Sequence, residues 1–310
     1  MNNVNNWSAG RRRFTWRDPV RDRPVWADVW FPASGVAERP APGAAFPIVV
    51  MSHGASGAAE NYSWIADYLA RHGVVVLGVS HHRESWLYGP ETIDPGAVTR
   101  LWDRPGDCTF ALTQLLMSGN FEGRVDPSRV GAIGHSSGGA TVLALGGATL
   151  DPAALGAYCR SEAAAADRGC DYARQPGAPR PAPPEATRSY RDSRVIAIVA
   201  LDPAAGPGHS AASLAEVRVP VLVVGSEDND FLPIEHHAAR YAALLPHASL
   251  VRLRDGEGHF VYLNSCTSDL SVNGVRLCVD REGVDREAVH ARLAPQILAF
   301  FISAMPGVWI

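Results

Sequence analysis

Gly134-His-Ser-Ser-Gly138 places a serine where nucleophilic chemistry could use it. Glycines at both flanking offsets permit a sharp, strained turn that exposes the Ser136 hydroxyl, an arrangement Ser137 does not share. If a helix begins there, its N-terminus favours negative charge, and the Ser137 backbone N–H points at an oxyanion forming on an attacked carbonyl. A hydroxyl needs a base. His259, in Asp255-Gly-Glu-Gly-His-Phe260, is the candidate, because flanking glycines let its imidazole swing over a sheet edge. The other late histidine, His290, falls on a helix face and reads as surface or core. A carboxylate must then hold the base in one tautomer. Asp202, in Leu201-Asp-Pro203, is released where proline ends a strand; Asp228 is the alternative acid, with Asp230 beside it. The second oxyanion donor is the backbone N–H of Ala55 in His53-Gly-Ala55. Gly54 and Gly57 allow close approach there, and His53 buttresses the loop.

Other chemistries are excluded by what the chain lacks. All 28 basic residues are arginine, so a lysine-dependent phosphate loop, a Schiff base and a Ser-Lys dyad are ruled out. His81-His82 and His236-His237 are adjacent pairs without metal-ligand spacing, and no Gly-x-Gly-x-x-Gly follows a strand. Neither metal nor cofactor is therefore expected. Against 28 basic residues stand 32 acidic ones, which argues against a nucleic-acid surface. No apolar run approaches the roughly 20 residues of a membrane span. The polar N-terminus carries no secretory signal, so a cytoplasmic location is the expectation. Five cysteines leave two bridges, Cys159–Cys170 and Cys266–Cys278 with Cys108 alone, as open as five thiols.

These residues must be positioned by a framework, and 46% hydrophobic against 19% charged residues suffices for a large core. The pattern predicts strands at 24–32 (with 14–16 as a candidate hairpin partner), 48–52, 74–80, 129–134, 195–201, 219–225 and 249–254. Helices are expected at 60–71, 104–117, 138–145, 234–245 and 286–305, and the Pro/Ala/Gly stretch 33–47 reads as a loop. Short apolar strands alternating with helices signify a mostly parallel central sheet with helices on both faces. The chain thus reads as one domain over residues 1–310, with 151–193 as an insertion or lid-like segment. Trp86, Tyr88 and Trp102, with Tyr62 and Trp64, could line an apolar pocket or simply belong to the core.

The sequence resembles bacterial dienelactone-hydrolase-like α/β-hydrolases, related to chlorophyllase and platelet-activating-factor acetylhydrolase. The resemblance runs from about Phe14 to Phe301. It rests on Ser52-His-Gly-Ala55, Arg104-Pro-Gly-Asp107, Gly134-His-Ser-Ser-Gly-Gly139, Val199-Ala-Leu-Asp-Pro203, Gly258-His-Phe260 and the segment from Asn264 to His290. It implies an α/β-hydrolase fold and a triad acid in an Asp-Pro context, which is Asp202. In most such folds the acid follows the later strand, where the usual position falls on Asn229. It also implies relatives that pair the late cysteines. The expectation is a serine esterase that cleaves a small-molecule carboxylic ester through an acyl-enzyme, with no cofactor. The alternatives are an acyltransferase or thioester or peptide hydrolase with the same triad, and a non-catalytic binding protein.

Overall fold

The computed structural model describes residues 7–34, 41, 45–121, 123–174, 182–307 and 309. Eight strands form one sheet: β1 (Ser8–Asp18), β2 (Arg23–Ala33), β3 (Phe46–Ser52), β4 (Val75–Ser80), β5 (Val125–His135), β6 (Val195–Leu201), β7 (Val221–Ser226) and β8 (Ala248–Leu253). Their order is β1-β2-β4-β3-β5-β6-β7-β8. The β1–β2 and β2–β4 pairs are antiparallel and every later pair is parallel. The antiparallel hairpin is longer than the sequence pattern suggests. Arginines on β1 alternate outward, and Arg11 and Arg13 pair with Asp28 of β2 and Glu60, so this edge is charged rather than apolar.

Parallel strands must be covered on both faces, and alternating side chains supply the two cores. Ile48 and Val50 belong to one cluster, Val49 and Met51 to the other. The first core is closed by α2 (Asp103–Met117), α3 (Ser137–Gly146) and α7 (Ala238–Leu244). The second is closed by α1 (Ser63–Arg71) and α8 (Arg286–Ala304). Two predicted helices begin later than expected. A 3-10 turn over Ala59–Tyr62 precedes α1, and another over Ile234–His236 is separated from α7 by His237, whose backbone is non-helical.

Between α3 and β6 lie α4 (Pro152–Tyr158) and α5 (Cys170–Arg174), bridged by the Cys159–Cys170 disulfide. The remaining helix, α6 (Ala211–Ala215), follows β6. A small hairpin, β9 (Ser271–Val272) with β10 (Val275–Arg276), is enclosed by the Cys266–Cys278 disulfide, and Cys108 is a buried free thiol. Residues 35–40 and 42–44 of the expected 33–47 loop, and 175–181 of the 151–193 segment, lie outside the described residues. Among the described residues no helix is long and apolar enough to cross a membrane.

Candidate active site

The parallel register brings the strand tips level. Ser52 pairs with Gly134, His135 with Leu201, and Leu201 with Val224. The residues that leave β3, β5, β6 and β7 therefore emerge side by side at the carboxyl edge of the sheet, where ligands of open α/β sheets bind.

Ser136 stands between β5 and α3 with φ 56° and ψ −120°, a conformation that costs a non-glycine residue energy. Hydrogen bonds on both sides hold it there. Its N–H donates to the Leu201 carbonyl at 3.0 Å, and its carbonyl accepts from Ala204 at 2.9 Å. The flanking glycines are steric necessities. A Cβ at Gly134 would lie 2.2 Å from the Gly138 carbonyl oxygen, and one at Gly138 would lie 2.0 Å from that of Ser52.

Asp202 leaves β6 with φ 38° and is buried. Its Oδ1 accepts the Ser226 N–H at 2.9 Å, and its Oδ2 lies 3.5 Å from His259 Nδ1. His259 is fully buried, and its Nε2 has no hydrogen-bond partner. Burial disfavours charge on each group: the Asp202 carboxyl is pushed up to about 7, and the His259 imidazole is drawn down to about 3. Asp228 is exposed. The neighbours reaching His259 from its loop are Asn229, with Nδ2 3.4 Å from Nδ1, and Asp230, whose Oδ1 accepts the His259 N–H at 2.9 Å.

The loop after β3 carries Ala55, whose N–H donates to no acceptor among the described residues. The Ser137 N–H opens α3, where an intrahelical partner is lacking by geometry. Arg104 supports this loop from below. Its Nη1 donates to the His53 carbonyl at 2.7 Å, while its Nε donates to Glu84 at 2.8 Å in a buried ion pair. His53 Nδ1 donates to the Gly54 carbonyl and its Nε2 accepts the His81 N–H at 3.0 Å, which gives it the buttressing place that the sequence suggests.

A second chain of bonds ties this loop to the loop that carries His259. His135 Nε2 faces the His259 carbonyl at 3.0 Å and so must donate to it. Its Nδ1 then accepts from the Tyr62 hydroxyl at 2.8 Å, and that hydroxyl accepts the Gly54 N–H at 3.0 Å. Burial keeps His135 neutral, as this pattern requires. His290, read from sequence as surface or core, is buried on α8. It donates from Nε2 to the Val261 carbonyl at 2.7 Å, fixing the turn that carries His259. Tyr62 and Arg104 have no role readable from spacing, because they reach His135 and the His53 carbonyl from 73 and 51 residues away; Asn229 stands where spacing puts the usual acid of such folds.

Ser136 and Ser137 open into a pocket of about 490 Å³. Trp102, Leu155, Tyr172, Phe231 and Leu232 line it, and much of its wall comes from α4 and α5. Of the aromatics suggested from sequence, Trp102 is there and the other four are not. Trp86 is exposed, Tyr88 packs on Trp26, Tyr62 serves His135, and Trp64 stacks on His290. Tyr88, Tyr62 and Trp64 are thus occupied by structural partners away from the pocket. The wall is fastened to the body by Asp167, which accepts from His237 Nε2 at 2.8 Å, and by the Arg168 N–H to the Phe231 carbonyl at 2.9 Å. Among the described residues no cluster suited to a metal ion occurs.

Comparison with known proteins agrees with this architecture. Residues 25–90 match the family model of platelet-activating factor acetylhydrolase, isoform II. Platelet-activating factor acetylhydrolase from Cavia porcellus is 31% identical over 140 residues, covering 33% of this chain and 32% of that protein. The chain thus spans about a third of the length of this curated relative. Among solved structures, a ferulic acid esterase from Streptomyces cinnamoneus superposes with a TM-score of 0.64 at 20% identity, covering 98% of this chain and 91% of the other. The chain has the α/β-hydrolase fold, and in sequence it is similar to the platelet-activating factor acetylhydrolases.

Proposed function

We propose that the protein hydrolyses a carboxylic ester with Ser136 as nucleophile, His259 as general base and Asp202 as the acid that orients it. The observation that carries this reading is the convergence of three strand ends. A strained serine, a buried imidazole with an unpartnered Nε2, and a carboxylate 3.5 Å from its Nδ1 share one sheet edge. The Ser136 hydroxyl attacks the ester carbonyl while Nε2 takes its proton. The Ala55 and Ser137 N–H groups receive the oxyanion, each worth on the order of 3 kcal/mol in the transition state. Collapse expels the alcohol, protonated by His259, and leaves an acyl-enzyme. Water, deprotonated by the same imidazole, then releases the acid. The names of the acetylhydrolase and esterase similar to this chain support ester cleavage.

The pocket favours a moderately hydrophobic ester, because most of the side chains that line it are apolar. A p-nitrophenyl ester series of increasing acyl length tests this reading. Ser136→Ala is expected to lower kcat by at least about 10³-fold while the folded spectrum is retained. A folded Ser136→Ala variant that keeps wild-type turnover refutes the mechanism.

A further inference from the structure

Ser52, His81 and Asp107 form a second serine–histidine–aspartate array, outside the catalytic one. Ser52 Oγ lies 2.9 Å from His81 Nε2, and His81 Nδ1 lies 3.0 Å from Asp107 Oδ2. Each of the three is at most 1% exposed and none lines the pocket, so no substrate reaches them. Their proton pattern is nonetheless fixed. Arg23 donates to both Asp107 oxygens, at 2.8 and 3.1 Å, and Arg21 Nη1 lies 2.9 Å from Oδ1. Burial raises the Asp107 carboxyl, but His81 and Arg23 outweigh it and hold the group ionised, while burial keeps His81 neutral. Nδ1 of His81 therefore carries the proton, and Nε2 accepts from the Ser52 hydroxyl.

What this array supports lies just beyond it in the loop after β3. The His81 backbone N–H donates to His53 Nε2, which leaves the His53 proton on Nδ1, donated to the Gly54 carbonyl. Arg104 Nη2 and the Gly57 N–H reach the same carbonyl at 3.4 and 3.3 Å. In a trans peptide the carbonyl of one residue and the N–H of the next point in opposite directions. Holding the Gly54 carbonyl thus aims the Ala55 N–H away from His53 and Arg104. We propose that Asp107, His81 and Ser52 are positioning residues for the oxyanion donor Ala55: they anchor the His81 ring, and through it His53, in the placement that aims the Ala55 N–H. The proposal rests on the ester-hydrolysis reading above. Ser52 joins two sides of the site, because its hydroxyl belongs to the array and its carbonyl packs against Gly138 of the elbow.

The test follows p-nitrophenyl butyrate hydrolysis by the full chain, and its inhibition by a trifluoromethyl ketone with the same acyl chain, whose adduct with Ser136 carries the oxyanion. Ser52→Ala removes the hydroxyl, and His81→Asn keeps a donor for Asp107 but leaves the Ser52 hydroxyl without an acceptor. Each is expected to lower kcat about tenfold with KM within about twofold, a part of the roughly 10²–10³-fold that loss of a whole oxyanion donor costs. The inhibition constant of the ketone should rise by about the factor by which kcat falls. Asp107→Asn, whose amide can donate to Nδ1 and admit the opposite His81 tautomer, is expected to lose more. Because that variant also strips Arg23 of its partner, the other two decide the question if it does not fold. Folded Ser52→Ala and His81→Asn variants with wild-type kcat, or with losses confined to KM and ketone inhibition unchanged, overturn the proposal and leave the triad standing. Wild-type turnover in Ser136→Ala would instead overturn the ester-hydrolysis reading.

Discussion

On the proposed mechanism, Asp202 trades stability for chemistry. Its folded pKa of about 7 lies above the ordinary carboxyl value of 3.8 because the site is buried. Folding therefore favours its protonated form. Below pH 4 the group is neutral in folded and unfolded chains alike and costs nothing. As pH rises, the unfolded chain ionises first, and the cost of keeping Asp202 in the fold is complete above about pH 7. Asp202→Asn is thus expected to be more stable than wild type at pH 8, by roughly 1–3 kcal/mol, and equal to it near pH 4. Urea titrations at the two pH values check this; a variant destabilised at pH 8 would contradict it. Under the proposed mechanism the ionised carboxylate is the working form, so kcat/KM should rise with pH through an acidic limb near 7.

Elements set what the site can hold. The α4–α5 wall has little sheet behind it and depends on local fastenings: the Cys159–Cys170 bridge, the Asp167–His237 bond and the Arg168–Phe231 backbone bond. A bridge closing so short a loop contributes about 2–3 kcal/mol. Cys159→Ser/Cys170→Ser is therefore expected to soften the pocket without touching the elbow. KM for an octanoyl ester should rise about 5–20-fold, while kcat for an acetyl ester stays within about twofold. Equal losses on both esters would show that the wall does not select the acyl group.

Across the whole molecule, buried imidazoles govern the response to acid. His53, His81, His135, His209, His259 and His290 all have pKa values lowered by burial. In the unfolded chain they take up protons below about pH 6.5, whereas the fold keeps them neutral. Stability must therefore fall as pH falls from 6.5 towards 4, by several kcal/mol in total. Thermal or urea unfolding followed from pH 7.5 to 5 should show this loss, and a flat profile would show that these sites admit water or charge.

What could be read in advance was local. The elbow is legible because Gly134, Ser136 and Gly138 are contiguous and their steric demands act within one turn. The strands β3, β4, β6 and β7 are legible because each is a continuous, largely apolar run buried on both faces. Tertiary structure decided the rest. The sequence offered Asp202 and Asp228 on similar turns; the fold buries one against His259 and leaves the other in solvent. Tyr62 and Arg104 became part of the site only when the sheet brought their partners, 73 and 51 residues away in sequence, to one edge. Hydrogen bonds and burial depend on neighbours in space, and only the sheet register determines which residues those are.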